Sequence, residues 1–461
     1  MSISVTPELL RRFDVLGPRY TSYPTADRFV EAFGPQDVAD ALAQRSASPA
    51  ALAMPLSLYV HIPFCEQLCY YCACNKIITK KHEKGAQYLR TLAREVDLYA
   101  QQIGTVKAVT QLHLGGGSPT FLTDDELSSL MAMLRRSFNL VPGGEHSIEI
   151  DPRTVDAGRL QHIAGLGFTR VSFGVQDFEP EVQQAVHRVQ PYEQVAQLMD
   201  DARAVGFDSI NIDLIYGLPR QTPGTFARTL ERVVKIRPDR IALYGYAHLP
   251  DRFKPQRRIH SADLPGGADK LAMLSQALEA LQAAGYIYIG MDHFALPNDA
   301  LAVAKRQGRL HRNFQGYSTQ PDCDLIGLGV SAIGRIGATY SQNAKTLEEY
   351  EDHLDHGRLP VVRGLALSRD DLVRRAVIMG LMCQGQLLYE SVEHAWLLDF
   401  REYFEPELER LRDFEAMDLV QCDEGGIQVT AQGWYVVRAI AMVFDRYVQA
   451  DRNRAKFSRI I

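Results

Sequence analysis

Tyr59-Val-His-Ile-Pro-Phe-Cys65-Glu-Gln-Leu-Cys69-Tyr-Tyr-Cys72-Ala-Cys74 is the stretch on which the reading turns. It continues an apolar run of strand length, Leu56–His61, and enters three cysteines spaced C-x3-C-x2-C. Three thiolates on one tight loop suit three irons of a four-iron cubane, which cysteine thiolates hold. The fourth iron is then open to the amino and carboxylate groups of a small molecule. Two alternatives are weaker. A structural zinc site uses two ligand pairs separated by a longer loop, and no second pair follows here. A thioredoxin-like C-x-x-C is contained in Cys69–Cys72, but cysteines on both sides disfavour it. Cys74 reads in two ways, as a reactive thiol beside the site or as a small buried residue filling the loop.

Working outward, short apolar runs recur: Leu56–His61, Val109–Leu114, Ser147–Ile150, Arg170–Val175, Ser209–Tyr216 and Arg240–Tyr246. Helical periodicity falls between most of them, at Tyr88–Gln102, Asp124–Phe138, Tyr192–Val205 and Thr225–Ile236. Repeated βα units predict an α/β fold with a parallel sheet covered by helices, either doubly wound or a partial barrel. In both, function gathers at the C-terminal ends of the strands. The cysteines follow the first run, Gly115-Gly-Gly the second, Asp151 the third and Gln176 the fourth, and Asp213 lies near the end of the fifth.

The 461-residue chain is long for one core, so a barrel with additions is expected. We divide it into an N-terminal arm (1–50), a barrel (51–367) and a mostly helical, winged-helix-like C-terminal domain (368–461). In the arm, Gly17-Pro-Arg-Tyr-Thr-Ser-Tyr-Pro24 reads as an ordered arm or flap and not as a core element. Residues 251–267 read as a long polar loop. The 50 Lys plus Arg against 56 Asp plus Glu give a net charge of −6, which offers no global attraction for nucleic acid or an anionic membrane. No apolar run is long enough for a membrane span, and no secretory signal opens the chain, so a cytoplasmic location is expected. Of the seven cysteines, Cys323, Cys383 and Cys422 are scattered. They read as small buried apolar residues and not as a disulfide framework.

Gly115-Gly-Gly-Ser-Pro-Thr120 follows an apolar run and precedes a helix. Glycines let a ligand approach the backbone and expose N–H groups. Glu149, Asp151, Gln176, Arg188 and Asp213 complete the candidates. A carboxylate suits ribose hydroxyls, and a guanidinium suits a carboxylate as a two-point donor. For any one of them an ion pair or helix cap is as good a reading; at successive strand ends together they favour a cleft.

The three-cysteine spacing is the signature of the radical S-adenosylmethionine superfamily, and the resemblance narrows further. GPRYTSYPTA (17–26), YVHIPFCEQLCYYCACNK (59–76), HLGGGSPT (113–120), IEIDPR (148–153), GVQDF (174–178), NIDLIYGLP (211–219), YAHLP (246–250), GMDHFA (290–295), LHRNFQGY (310–317) and GVSAIG (329–334) occur in order. They resemble the bacterial oxygen-independent coproporphyrinogen III oxidases, from about residue 15 to the C-terminal FSRII. The resemblance implies a partial (β/α)6 barrel with a C-terminal domain and a four-iron, four-sulfur cluster on Cys65, Cys69 and Cys72. It implies S-adenosylmethionine contacts by Tyr59, Tyr71, Gly116, Gly117, Ser118, Glu149, Gln176, Arg188, Asp213, Ala247 and Ile333. A second S-adenosylmethionine lies beside the first in that family. Tyr71 replaces the family's phenylalanine and keeps an aromatic ring. Tyr59 and Cys74 are the candidate catalytic side chains.

The implied reaction converts two propionates of coproporphyrinogen III to vinyl groups through a 5′-deoxyadenosyl radical. A flavodoxin- or ferredoxin-type electron donor and a monomeric state go with it. Arg19, Tyr20, Arg312 and Gln315 are candidate anchors for the substrate's carboxylates, whereas Arg252, Lys254, Arg257 and Arg258 read as a solvated loop. The rival is a haem-binding, chaperone-like relative within the superfamily. Such relatives typically have phenylalanine at the position of Cys74 and lack the PRYTSYP segment; this chain has both the cysteine and the segment.

Overall fold

The computed structural model describes residues 7–104 and 108–450, so the C-terminal FSRII stretch lies outside the described residues. Six parallel strands form the centre: β1 (Leu56–Ile62), β2 (Ala108–Gly116), β3 (Asn139–Ile150), β4 (Arg170–Gln176), β5 (Ser209–Tyr216) and β6 (Arg240–Gly245). Each is followed by a helix: α1 (Glu83–Gln102), α2 (Asp124–Ser137), α3 (Ala157–Gly165), α4 (Tyr192–Ala204), α5 (Pro223–Ile236) and α6 (Gly267–Ala283). The sequence pattern marks the six strands within a few residues, except that β3 starts eight residues earlier than its apolar run. That first half is largely exposed and is interrupted by Pro142-Gly-Gly144, so it lacks the signal that burial writes into a strand.

Start signals explain the helices. Thr123 caps α2 with Glu126 completing a capping box, and Thr222 caps α5 with Pro223 in its first turn. Their apolar stripes, such as Leu127, Leu130 and Leu134, pack on Leu58, Val60, Leu112 and Ile148 of the sheet in one continuous core.

The sheet has twelve strands and is open, consistent with a partial barrel. Strand Asp324–Leu328 pairs parallel with β1, and three antiparallel strands (Ile333–Ile336, Thr339–Asn343, Val361–Ala366) continue that side. On the other side His293–Ala295 and Ile287–Gly290 extend β6 antiparallel. These six flanking strands are short, which left them out of the sequence reading. The 251–267 loop contains two short 3-10 turns, Lys254–Arg258 and Ser261–Asp263.

A second core joins residues of 373–448 to barrel-edge residues such as Met291 and Tyr317, and to the arm. Here the expectation for the arm needs correction. Tyr20 and Tyr23 are fully buried, and the Tyr20 hydroxyl donates to Asp445 Oδ2 at 2.9 Å. Arg438 clasps the segment from the other side, donating to the carbonyls of Pro18 (2.6 Å) and Gly17. The prolines and missing periodicity correctly exclude a regular element, but irregular backbone is compatible with burial once its polar groups find partners. Within 368–450, helix Arg369–Gln384 is followed by further helices, a three-stranded antiparallel sheet (Gln386–Leu388, Gly426–Val429, Val420–Cys422), a 3-10/α segment, Gly433–Met442, and a short helix, Arg446–Ala450.

Candidate active site

The cysteine loop leaves β1 at the C-terminal edge of the barrel. Phe64–Cys65 pairs with Ile77–Ile78, which closes the loop at its base. Cys65, Cys69, Cys72 and Cys74 line one cavity of about 270 Å³ with Tyr71, the Gly116–Ser118 turn, Glu149, Asp151, Gln176, Arg188 and Asp213. The strand ends marked by sequence therefore converge. Ala247, Ile333 and Tyr59 do not line that cavity. Ala247 follows β6 and Ile333 opens a strand beyond β1, so they flank the cleft from opposite sides of the sheet.

The Gly turn is built for close approach. Gly117 N–H donates to Ile62 O and Ser118 N–H to Phe64 O, each at 2.8 Å, which binds the turn to the root of the cysteine loop. Gly116 has φ +117°, and a side chain there would meet the His61 ring at 2.7 Å. Its N–H donates to Glu149 Oε2 at 3.1 Å. Gln176 is held in the left-handed region, φ +70°, a conformation uncommon outside glycine that concentrates at functional sites. Asp177 beside it is buried and accepts from Thr229 and Gln221 of the next βα unit.

Charge is arranged unevenly. Burial opposes ionisation of Asp151, yet Arg188 and Arg153 outweigh it and hold the acid down to about 2. Arg188 also reaches Cys69 Sγ at 3.4 Å and the Gly174 carbonyl through Nε at 3.1 Å. Glu149 stays below the ordinary carboxylate range despite burial, because His113 Nε2 (3.2 Å) and Gly116 N–H donate to it. Asp213 goes the other way: burial and the charge of Glu149 push it up to about 7. Among the described residues, Asn211 and Ser172 donate to its carboxyl.

Tyr59 stacks on His113 at 5.9 Å and donates to His61 Nδ1 at 3.1 Å. His61 Nε2 then donates to Asn75 O at 2.9 Å, beyond Cys74. This relay links β1 to the far end of the cysteine loop. Cys74 is exposed and not buried filler. Its thiol donates to Cys72, and that bond is the main reason Cys72 is held down to about 6. Cys323 and Cys383 are buried as expected, and Cys422 is half-buried. Among the described residues, no group of three His, Cys, Asp or Glu is arranged to hold a single metal ion. Three thiol residues rimming a shared cavity, beside a glycine cradle, fit a bulkier group with an adjoining ligand.

The polar 251–267 loop packs on this site. Gln256 Nε2 donates to Tyr71 O at 3.0 Å, and Arg258 lies over the Tyr70 ring at 5.2 Å. Arg252, Lys254 and Arg257 are exposed, as read from sequence.

Below the cleft a second, polar cavity of about 130 Å³ shares Glu149, Ser172, Asp213 and Tyr244 with it. Gln315 lines this lower space and donates to Leu58 O at 3.2 Å. Arg19 reaches the opposite face of the wall: its guanidinium lies 5.2 Å from the Tyr244 ring and 3.7 Å from Asp292. Arg312 is buried over Tyr317 at 4.7 Å, with Nε donating to Arg19 O at 3.3 Å. Its Nη1 and the Oε1 of Gln315 are buried without a hydrogen-bond partner among the described residues. Tyr20 points away into the second core. Sequence reasoning missed His61, His113, Tyr244, Asp292 and Arg438. The alternation of β2 carries the one available signal, since His113 precedes Gly115 by two residues and so shares its face.

Residues 59–233 match the radical SAM superfamily, and residues 367–436 match the HemN C-terminal domain. The fold and cleft thus define a radical S-adenosylmethionine protein. The chain is 51% identical over 459 residues to an oxygen-independent coproporphyrinogen III oxidase of Pseudomonas aeruginosa, covering 98% of each. It is 48% identical to that of Escherichia coli, again covering 98% of each, and 42% identical to that of Synechocystis, covering 100% of this chain and 99% of the relative. The solved structure of the Escherichia coli enzyme, described as a radical SAM enzyme, superposes with a TM-score of 0.91 at 48% identity, over 97% of this chain and 100% of that one. The chain belongs to the oxygen-independent coproporphyrinogen III oxidase family.

Proposed function

We propose that this chain converts two propionate side chains of coproporphyrinogen III to vinyl groups, giving protoporphyrinogen IX in haem synthesis. The observation that carries the reading is the convergence of Cys65, Cys69 and Cys72 with Gly116–Ser118, Glu149, Arg188 and Asp213 on one cavity. In this reading the three cysteines hold the four-iron cluster, and Cys74 stays outside the ligand set. When bound, the cluster and S-adenosylmethionine would supply the one-electron radical chemistry by which a propionate side chain loses hydrogen and CO2 to become a vinyl group.

The protein's share is placement. Arg188, already paired with Asp151, offers its guanidinium to a carboxylate at the cleft. Glu149 and Asp213 offer acceptors to ribose hydroxyls, and Gly116 and Gly117 give the backbone close access. Tyr71 and Gln256 close the site from the side of the polar loop and exclude water. Arg19, Arg312 and Gln315 receive substrate carboxylates; the unpartnered Arg312 Nη1 supports this, since a buried guanidinium gains most from an anionic partner. Tyr20 serves indirectly, by fixing the arm that presents Arg19.

Two S-adenosylmethionine molecules, a monomeric state, a cytoplasmic location, a flavodoxin- or ferredoxin-type donor and the three-part division at 50 and 367 belong to the same reading. No helix among the described residues is long and apolar enough to cross a membrane. The test is anaerobic: cluster-reconstituted protein, S-adenosylmethionine, reductant, an electron-accepting extract and coproporphyrinogen III, with porphyrins separated after oxidation. Protoporphyrin that depends on S-adenosylmethionine is expected. An intact cluster with tight haem binding and no product would point to the chaperone-like relatives.

A further inference from the structure

The cysteine loop has an outer face that the cleft does not use. Residues 76–84, Lys-Ile-Ile-Thr-Lys-Lys-His-Glu-Lys, hold four lysines against one glutamate, in a chain of net charge −6. Lys80 and Lys81 are exposed and Lys84 is half-exposed. Among the described residues none of these three is in an ion pair, while the neighbouring His82 is engaged by Glu66 at 3.3 Å. In their midst Ile78 is 42% exposed, one of few large apolar side chains so placed.

This face is wired to the loop's interior. Ile78 lies in register with Cys65 across a two-residue parallel pairing. Thr79 N–H donates to Cys65 O at 2.9 Å, and Ile77 N–H to Pro63 O at 2.7 Å. One hydrogen bond therefore separates the exposed basic run from the backbone of a cysteine that lines the cleft.

We propose that Ile78, Lys80, Lys81 and Lys84 form the docking face for a small acidic protein that carries single electrons. The proposal rests on the reading that Cys65, Cys69 and Cys72 hold the cluster, which needs an outside electron for each turnover. The charge complements such a partner and steers its approach, while the apolar centre gives a desolvated contact. The step is a bare electron transfer: one electron leaves the carrier's reduced group and enters the iron–sulfur group, and no bond or proton moves. A nucleic acid would use the lysines but has no need of an exposed isoleucine beside a cluster ligand.

The experiment uses cluster-loaded protein and the triple variant Lys80→Glu/Lys81→Glu/Lys84→Glu. Two acidic probes are used, a flavodoxin and a plant-type ferredoxin. Binding is measured by calorimetry at low and raised salt, and bleaching of the cluster absorbance by each reduced carrier is compared with bleaching by dithionite. The expected result is carrier binding weakened about tenfold or more at low salt, with its salt dependence reduced. Carrier-driven bleaching slows in proportion, dithionite-driven bleaching is unchanged, and Ile78→Ala weakens carrier binding by about threefold. Wild-type behaviour of the triple variant with both carriers, or failure of both to bind the wild-type protein, overturns the proposal. So does weakened heparin binding with unaltered carrier binding. Failure of the cluster reading itself shows separately, as absent cluster absorbance before any carrier is added.

Discussion

The cleft and the junction between arm and C-terminal region both bury charged and phenolic groups, but they complete them differently. At the junction most of these groups meet opposite charges or strong donors, the Tyr23 hydroxyl being an exception with no hydrogen-bond partner among the described residues. Arg374 bridges Glu407 and Asp370, each at 3.0 Å, Asp370 also takes Tyr403 and Arg446 at 2.6 Å each, and Asp445 takes Tyr20. In and below the cleft, capacity is left over. Asp213 has neutral donors and a neighbouring carboxylate, and Arg312 Nη1 and Gln315 Oε1 have no hydrogen-bond partner among the described residues. Buried polar groups are ordinarily satisfied, so the difference separates charges that hold the fold from charges that await a ligand.

The largest expected effect lies at the cleft. Cys69→Ser should abolish the brown cluster absorbance together with product formation; a full cluster in that variant breaks the ligand assignment. Cys74→Ser should keep the cluster yet impair product formation, and normal turnover would reduce Cys74 to a structural residue. Arg188→Ala leaves Asp151 with Arg153 alone and should weaken S-adenosylmethionine binding to the cluster-loaded protein by about a hundredfold, as loss of one partner from a buried pair costs several kcal/mol. Arg188→Lys should recover only part, because an ammonium does not make the two-point contact. Calorimetric titration checks both.

The junction should respond in the opposite sense. Tyr20→Phe removes one donor to buried Asp445 and should cost about 1–3 kcal/mol in urea unfolding, with S-adenosylmethionine affinity unchanged. A loss of affinity without a loss of stability would erase the distinction between the regions. The smallest effect concerns pH. Asp213 is held up at about 7, so its acceptor carboxylate grows as pH rises through that value. S-adenosylmethionine affinity should therefore rise by about threefold from pH 6 to 8, and Asp213→Asn should flatten this dependence.

Much of the site was legible in sequence because barrel topology brings strand ends together. Asp151, Gln176 and Asp213 are far apart along the chain, yet Asp151 and Gln176 stand at the ends of their strands and Asp213 in the second half of its own, and parallel strands of a βα fold end on one side. The cysteine spacing needed still less, since its ligands share one short loop. Tyr20 was misplaced, because a proline-rich segment without periodicity gives no sign of whether it is covered. The short flanking strands, two to three ladder steps long in places, fell below the length at which alternation shows.

Local spacing and periodicity by themselves determined the six βα units, the three-cysteine loop and the glycine turn, because each is written in contiguous residues. Only the tertiary structure decided that Arg188 lies against Cys69, that Glu149 and Asp213 face each other with opposite proton affinities, and that Arg19 and Arg312 meet around Tyr244 and Asp292. Those outcomes depend on distance and burial between segments tens to hundreds of residues apart. Burial and neighbouring charge, not residue type, set how strongly such groups hold a proton or attract a ligand.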